Sequence, residues 1–236
     1  MSDPLRVALV VEGPTDFVVL RAAIESLLEN REFVATSLCP EMSRGLEPST
    51  GGGWAAVYLW CRQMVEQAGG QARDNDLFSA HDLLVLHVDA DVAEKRYGDD
   101  PRIQDPPNDL PCDYPCPPPS ATTDALRLVI LRWLHETNVP SHTVLCTPSK
   151  STETWVLAAL FPEDCALSAI ELECRADAAT VMQSKPLIQR LKKRPKEYEK
   201  RESELWDAWP AVRAKCTEAE RFSREFLAAW TAVLAR

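Results

Sequence analysis

The run Leu83-Leu84-Val85-Leu86-His87-Val88-Asp89-Ala90-Asp91 constrains the fold more than any other stretch of the chain. It opens as an apolar, β-branched segment of strand length, the pattern of a strand buried on both faces of a parallel sheet. It closes on two carboxylates. Strand side chains alternate faces, so if the strand runs through them Asp89 and Asp91 leave on the same side, roughly 5–7 Å apart. At an effective dielectric of ~20 their repulsion is roughly 3 kcal/mol. A hard divalent cation is the obvious offset. The plain alternative is a strand that ends in two solvated loop aspartates.

Other segments fit an α/β order. Residues 5–11 read as a first buried strand, followed by Glu12-Gly13-Pro14-Thr15-Asp16. Gly13 permits a sharp turn, Pro14 suits the first position of a helix, and Asp16 suits its first turn. That helix is expected over about 14–30, with Phe17, Leu20, Ile24, Leu27 and Leu28 as its apolar stripe. Glu12 then stands at the carboxyl end of a strand, where open α/β sheets place their chemistry. Read without context, it is equally a strand-end carboxylate exposed to water.

A less regular strand is expected at 32–39, then a loop at 40–53 holding Arg44, Ser49, Thr50 and three glycines. A Gly-rich loop before a helix can cradle phosphate. The P-loop lysine is missing here, so a flexible loop is the better reading. A helix is expected at 54–68. After Asp91, residues 98–119 carry eight of the chain's 18 prolines. This stretch excludes regular helix and central strand, and reads as an extended loop or lid beside the carboxylates. A helix at 121–137 and a short strand at 142–146 follow. A further helix is capped by Ser149 or Ser151 and has Glu153 in its first turn. Trp155 is expected in the core.

Beyond 166 the chain reads as helical, with one or two amphipathic helices over 203–235. Residues 184–201 hold eight basic and two acidic side chains, in a chain of net charge −10. They form either a solvated face or a strip contacting phosphates. The overall acidity excludes a general nucleic-acid-coating protein.

No stretch approaches the roughly 18 uninterrupted apolar residues of a membrane span. The run at 7–11 is too short for a signal-peptide core and meets Glu12 at once. The protein is expected in the cytoplasm, where most of its eight cysteines would be thiols. Cys112 and Cys116, the closest pair, are spaced more widely than the commonest zinc knuckle. No second pair matches them, so zinc is not the favoured reading.

Taken together, strand–Glu-Gly–helix, then strand–Asp-x-Asp, then strand–helix with a Glu resembles the Toprim domain. That domain is shared by topoisomerases, bacterial primases, recombination proteins of the RecR type and OLD-family nucleases. The matching residues are Glu12, with Gly13, Thr15 and Asp16, and the pair Asp89 and Asp91. The segment Ser151-Thr152-Glu153-Thr154-Trp155-Val156-Leu157 is similar to the Ser-x-Glu-x-Trp-x-Leu signature of small Toprim-like proteins. These occur in bacterial anti-phage and mobile-element neighbourhoods, and include the RloB type.

The resemblance covers residues 5–160. It implies a Toprim-like, Rossmann-like, mostly parallel sheet flanked by helices over 1–165, with the proline-rich insert at about 92–120. A helical extension at 166–236 would pack on this domain; the Toprim core does not explain it. It also implies a metal-dependent nuclease, a phage-defence or mobile-element effector. Asp89, Asp91 and Glu153 would hold Mg²⁺ or Mn²⁺, and Glu12 would be the general acid or base. Lys150, Arg44, Lys185, Lys192, Lys193 and Arg194 would meet substrate phosphates. His87 reads as a packed histidine rather than a ligand. The expected partners are a DNA or RNA substrate and an activating ATPase or other defence-system subunit, with no membrane. The alternative is a non-enzymatic Toprim adaptor or sensor that binds a partner protein or a nucleotide. Primase-type nucleotidyl transfer lacks its zinc module and polymerase half here.

Overall fold

The structure is a computed structural model that describes residues 4–29, 31–43, 47–48, 51–163 and 172–235. Its centre is a four-stranded sheet of β1 (Leu5–Val10), β2 (Phe33–Cys39), β3 (Leu83–His87) and β4 (Thr143–Cys146). The spatial order is β2-β1-β3-β4 and every pairing is parallel. In register, Val10 lies beside Leu86 of β3, and His87 beside Cys146 of β4. All four carboxyl ends therefore meet at one edge. The chain leaves β1 toward β2 on one side and returns to β3 on the other. The crevice outside β1 and β3 is thus the switch point at which open α/β sheets bind ligands.

Alternation sends the strand side chains to two cores. Val7, Leu9, Leu83, Val85, Val144 and Cys146 face α1 (Pro14–Leu28) and the helix at Glu153–Leu160. Ala8, Val10, Leu84, Leu86 and Leu145 face α2 (Trp54–Ala68) and α3 (Pro119–Trp133). Both sets are fully covered, which is why residues 7–10 of β1 and 83–86 of β3 read as unbroken apolar runs. The helix at Glu153–Leu160 is α4. Further helices toward the C-terminus are α5 (Ala178–Ser184), α6 (Pro195–Glu199), α7 (Glu202–Lys215) and α8 (Thr217–Leu234).

The C-terminal helices share the core of α1 and α4. Trp155 of α4, 1% exposed, meets Trp209 of α7 edge-on at 5.5 Å and stacks on Phe222 of α8 at 6.3 Å. Arg21 of α1 and Glu202 of α7 add a two-pronged ion pair at 2.5 and 2.6 Å.

Four readings from the sequence need correction. β3 stops at His87, and Ala90–Glu94 turn as a 3-10 helix, so the pleat does not carry Asp89 and Asp91 to one face. The first residue of α4 is Glu153, capped by Thr152 rather than by Ser149 or Ser151, and no side chain caps that helix. The three glycines do not stand apart as a flexible loop. The Gly53 N–H donates to the Glu12 carbonyl at 2.7 Å, and a Cβ on Gly52 would lie 2.8 Å from that same oxygen. Close backbone approach demands glycine there. Finally, Cys116 is bonded to Cys174, tying the proline-rich insert to the turn before α5. Cys39, Cys61, Cys112, Cys146 and Cys216 remain as thiols. With the partners 58 positions apart, no local spacing could have signalled the bond.

The insert lies on the α2–α3 side. Tyr97 packs between Tyr58 and Trp54, and its hydroxyl accepts the Trp133 indole N–H at 2.7 Å. Among the described residues no helix is long and apolar enough to cross a membrane.

Candidate metal centre

Three post-strand segments converge at the carboxyl edge. The loop after β3 zips onto the loop after β4: Ala90 N–H bonds to Pro148 O at 2.9 Å and Asp91 N–H to Lys150 O at 3.1 Å. The Asp89 N–H donates to Glu12 Oε1 at 2.8 Å. Glu12 and Asp89 are therefore neighbours although 77 positions separate them.

Asp89 is nearly buried, and its Oδ1 accepts two bonds, from His87 Nε2 at 3.1 Å and from the Thr152 N–H at 3.0 Å. The Thr152 hydroxyl donates at 2.6 Å to Asp16 Oδ1. Thr152 thus ties β3's aspartate to α1's. Among the described residues, Asp16, His87 and Asp89 are all buried and offer ligand atoms within 4.8 Å of one another, a grouping that could hold a metal ion.

Sequence reasoning missed Asp16, His87 and Thr152 as members of this site. Asp16 reads as a helix first-turn residue. Its other signal is its place in the first turn of the helix that follows Glu12, which keeps it close to the same edge. His87 shares the face of Leu83 and Val85, the face turned to α1 and α4. It is packed, as expected, but it also bonds Asp89.

The other expected site residues divide sharply. Asp91 has its side chain 48% exposed and sits 3.7 Å from Lys95 Nζ. Glu153 is 1% exposed, and its Oε1 takes Lys193 Nζ at 2.8 Å and the Tyr198 hydroxyl at 3.4 Å. Lys150 is ion-paired with Glu94. Lys185 lies over the Phe161 ring at 5.4 Å. Lys192 and Arg194 are exposed. Arg44 lies outside the described residues.

Burial and mutual repulsion shift the titrations. Burial, with help from Asp89 and Asp16, pushes the Glu12 carboxyl well above the carboxylate range. Burial also pushes Asp89 up to about 7, against the pull of His87 and with the push of Asp16 and Glu153. Burial disfavours a charged His87, yet Asp89, Asp16 and Glu153 outweigh it and raise its value. Partial burial raises Asp91 against the pull of Lys95.

These shifts give a sign to the pH dependence of stability. Between about 4, the unfolded value, and about 7 the folded state holds a proton on Asp89 that the unfolded chain has lost. Stability therefore falls as pH rises through that window. Glu12 acts in the same direction from about 4 upward. His87 stabilises fully below about 6.5, and its contribution is lost as pH rises through its folded value. Urea unfolding in chelator should show a higher stability at pH 5 than at pH 8, by up to about 3 kcal/mol from Asp89. A flat or rising profile would contradict the buried charge cluster.

No protein-family model, curated protein or solved structure matches the chain.

Proposed function

We propose that the chain is a Toprim-type, metal-dependent phosphodiesterase: a nuclease serving as a bacterial anti-phage or mobile-element effector. One observation carries the chemistry. The Glu12 carboxylate accepts the backbone N–H of Asp89 at the switch-point crevice, which brings together the two residues that the resemblance makes central. The effector role rests on the resemblance of residues 151–157 to small Toprim-like defence proteins.

The donor set suits a hard cation. Glu12, Asp16 and Asp89 each have one oxygen fixed by an N–H or O–H donor. Their second oxygens, Glu12 Oε2, Asp16 Oδ2 and Asp89 Oδ2, accept no hydrogen bond from the described residues. Several buried carboxylates facing one crevice leave negative charge that a divalent cation offsets. Asp89 with Asp16 would hold Mg²⁺ or Mn²⁺, which leaves Glu12 for proton transfer. Glu153 stands behind them, tied to Lys193 and Tyr198. When bound, the ion would supply charge stabilisation to a phosphoryl group and lower the pKa of water.

Glu12 supplies the proton. Its raised value keeps it protonated at a pH where an ordinary carboxyl is ionised. Its Oε1 accepts the Asp89 N–H, so the proton resides on Oε2. From there it passes to the leaving oxygen of a cleaved phosphodiester. The Gly53 amide on the Glu12 carbonyl holds this residue in place. Lys192 and Arg194, at the rim, meet the flanking phosphates.

The test is cleavage of plasmid, single-stranded DNA and total RNA by the full chain with Mg²⁺ or Mn²⁺, beside Glu12→Gln. Cleavage that requires metal and is lost in the variant supports the reading. Metal-independent cleavage, or cleavage retained by Glu12→Gln, overturns it. With no cleavage and no Mn²⁺ binding, the adaptor reading replaces it.

A further inference from the structure

The segment between α5 and α6 delivers a cation to the carboxylates. It is anchored at both ends. Leu191 is 3% exposed, and its N–H bonds to Met182 O at 3.3 Å. Pro195 opens α6, where the Glu197 and Tyr198 N–H groups bond to Arg194 O at 3.0 and 3.2 Å. Between these anchors Lys193 reaches inward, its Nζ 2.8 Å from Glu153 Oε1. The Tyr198 hydroxyl donates to the same oxygen at 3.4 Å.

The two partners of Glu153 differ in freedom. Tyr198 is 1% exposed and held by the core. The Lys193 side chain is 46% exposed, so its ammonium can swing into water without opening a cavity. What holds it is charge. Glu153, Asp16 and Asp89 all attract it, and they keep its proton affinity above the usual lysine range despite partial burial.

A divalent cation among Glu12, Asp16 and Asp89 would draw on the same negative field from the inside. Two cations serving one carboxylate cluster repel each other and compete for it. We propose that Lys193 is a tethered counter-cation of the carboxylate centre, seated on Glu153 without metal and released toward solvent when a divalent ion binds. The inference rests on the metal-centre reading above and adds its regulation. On release, Lys193 joins Lys192 and Arg194 at the rim, as three consecutive cations facing phosphate. Tyr198 stays on Glu153 and keeps that carboxylate oriented. Substrate phosphates are therefore held most firmly after the metal has entered, and the extension beyond residue 166 acquires a role that the sheet core does not provide.

The test is Mn²⁺ affinity of the full chain, read from the electron paramagnetic resonance signal of free Mn²⁺. Lys193→Met removes the charge and keeps the length. It is expected to bind Mn²⁺ about tenfold more tightly than the wild type. Lys193→Arg keeps the charge and should stay within roughly threefold of the wild type. If Lys193→Met is too unstable without metal, the rise in melting temperature on adding Mn²⁺ replaces affinity as the readout. That rise is expected to be larger in Lys193→Met than in the wild type. Equal or weaker Mn²⁺ binding by Lys193→Met overturns the tether and leaves the metal centre standing. Absence of Mn²⁺ binding by all three proteins overturns the metal centre, and the tether with it.

Discussion

Asp89→Asn should lower metal-dependent cleavage by about a thousandfold or more while leaving the fold intact. The substitution keeps an oxygen where Asp89 Oδ1 now accepts the Thr152 N–H and faces His87 Nε2. It removes one buried negative charge from beside Glu12 and Asp16. A carboxylate whose own value is pushed up to about 7 is being held against its preference for solvent. Its loss should therefore raise, or leave unchanged, the urea midpoint at pH 8, and flatten the slope between pH 5 and 8. Activity and stability move in opposite directions, and this separates a catalytic charge from a structural one. Loss of both together would mean that Asp89 serves mainly to hold the loops after β3 and β4. Retained cleavage would remove it from the reaction.

Glu173→Ala should destabilise the protein by about 2–4 kcal/mol, because several buried donors lose their acceptor. Glu173 is 3% exposed and sits at the N-terminus of α8. Its Oε2 accepts the Thr217 N–H at 2.5 Å and the Thr217 hydroxyl at 2.7 Å. Its Oε1 accepts the Glu218 N–H at 2.9 Å and the Trp155 indole N–H at 3.4 Å. One carboxylate thus satisfies two of the orphan amides that every helix start exposes, and meets the positive end of the helix dipole. Alanine leaves those donors buried and unpaired, which costs far more than the net value of the bonds. Glu173→Gln keeps an acceptor and should lose less, about 1–2 kcal/mol. Urea unfolding followed by tryptophan fluorescence reads both. A loss under about 1 kcal/mol for the alanine variant would mean that water replaces the carboxylate at this cap.

The same carboxylate belongs to what could not be read beforehand. The pattern from β1 to α4 was legible because it is local. Apolar runs of strand length, Gly13-Pro14, and the stripe of α1 state their structure within a few residues, and 54–68 matches α2 end to end. The placement of Glu12 beside Asp89 was legible through topology, because parallel strands gather their carboxyl ends. Contacts between side chains far apart in sequence were not. Asp16 looks like an ordinary first-turn acid until Thr152 reaches it from 136 positions away. Lys193 looks like one charge in a basic strip, and only the fold of α5 and α6 turns it onto Glu153. Asp89 and Asp91 look equivalent, yet the 3-10 turn after β3 buries the first and leaves the second half exposed. The Glu173 cap and the Cys116–Cys174 bond join segments with no shared local pattern.

These carboxylates are proposed to form a metal centre. Crystals of the full chain soaked in Mn²⁺ would test it most directly, through an anomalous difference map. One strong peak is expected in the crevice outside β1 and β3, within coordination distance of Asp89 and Asp16. No peak there, or peaks only at exposed surface acids, would contradict it.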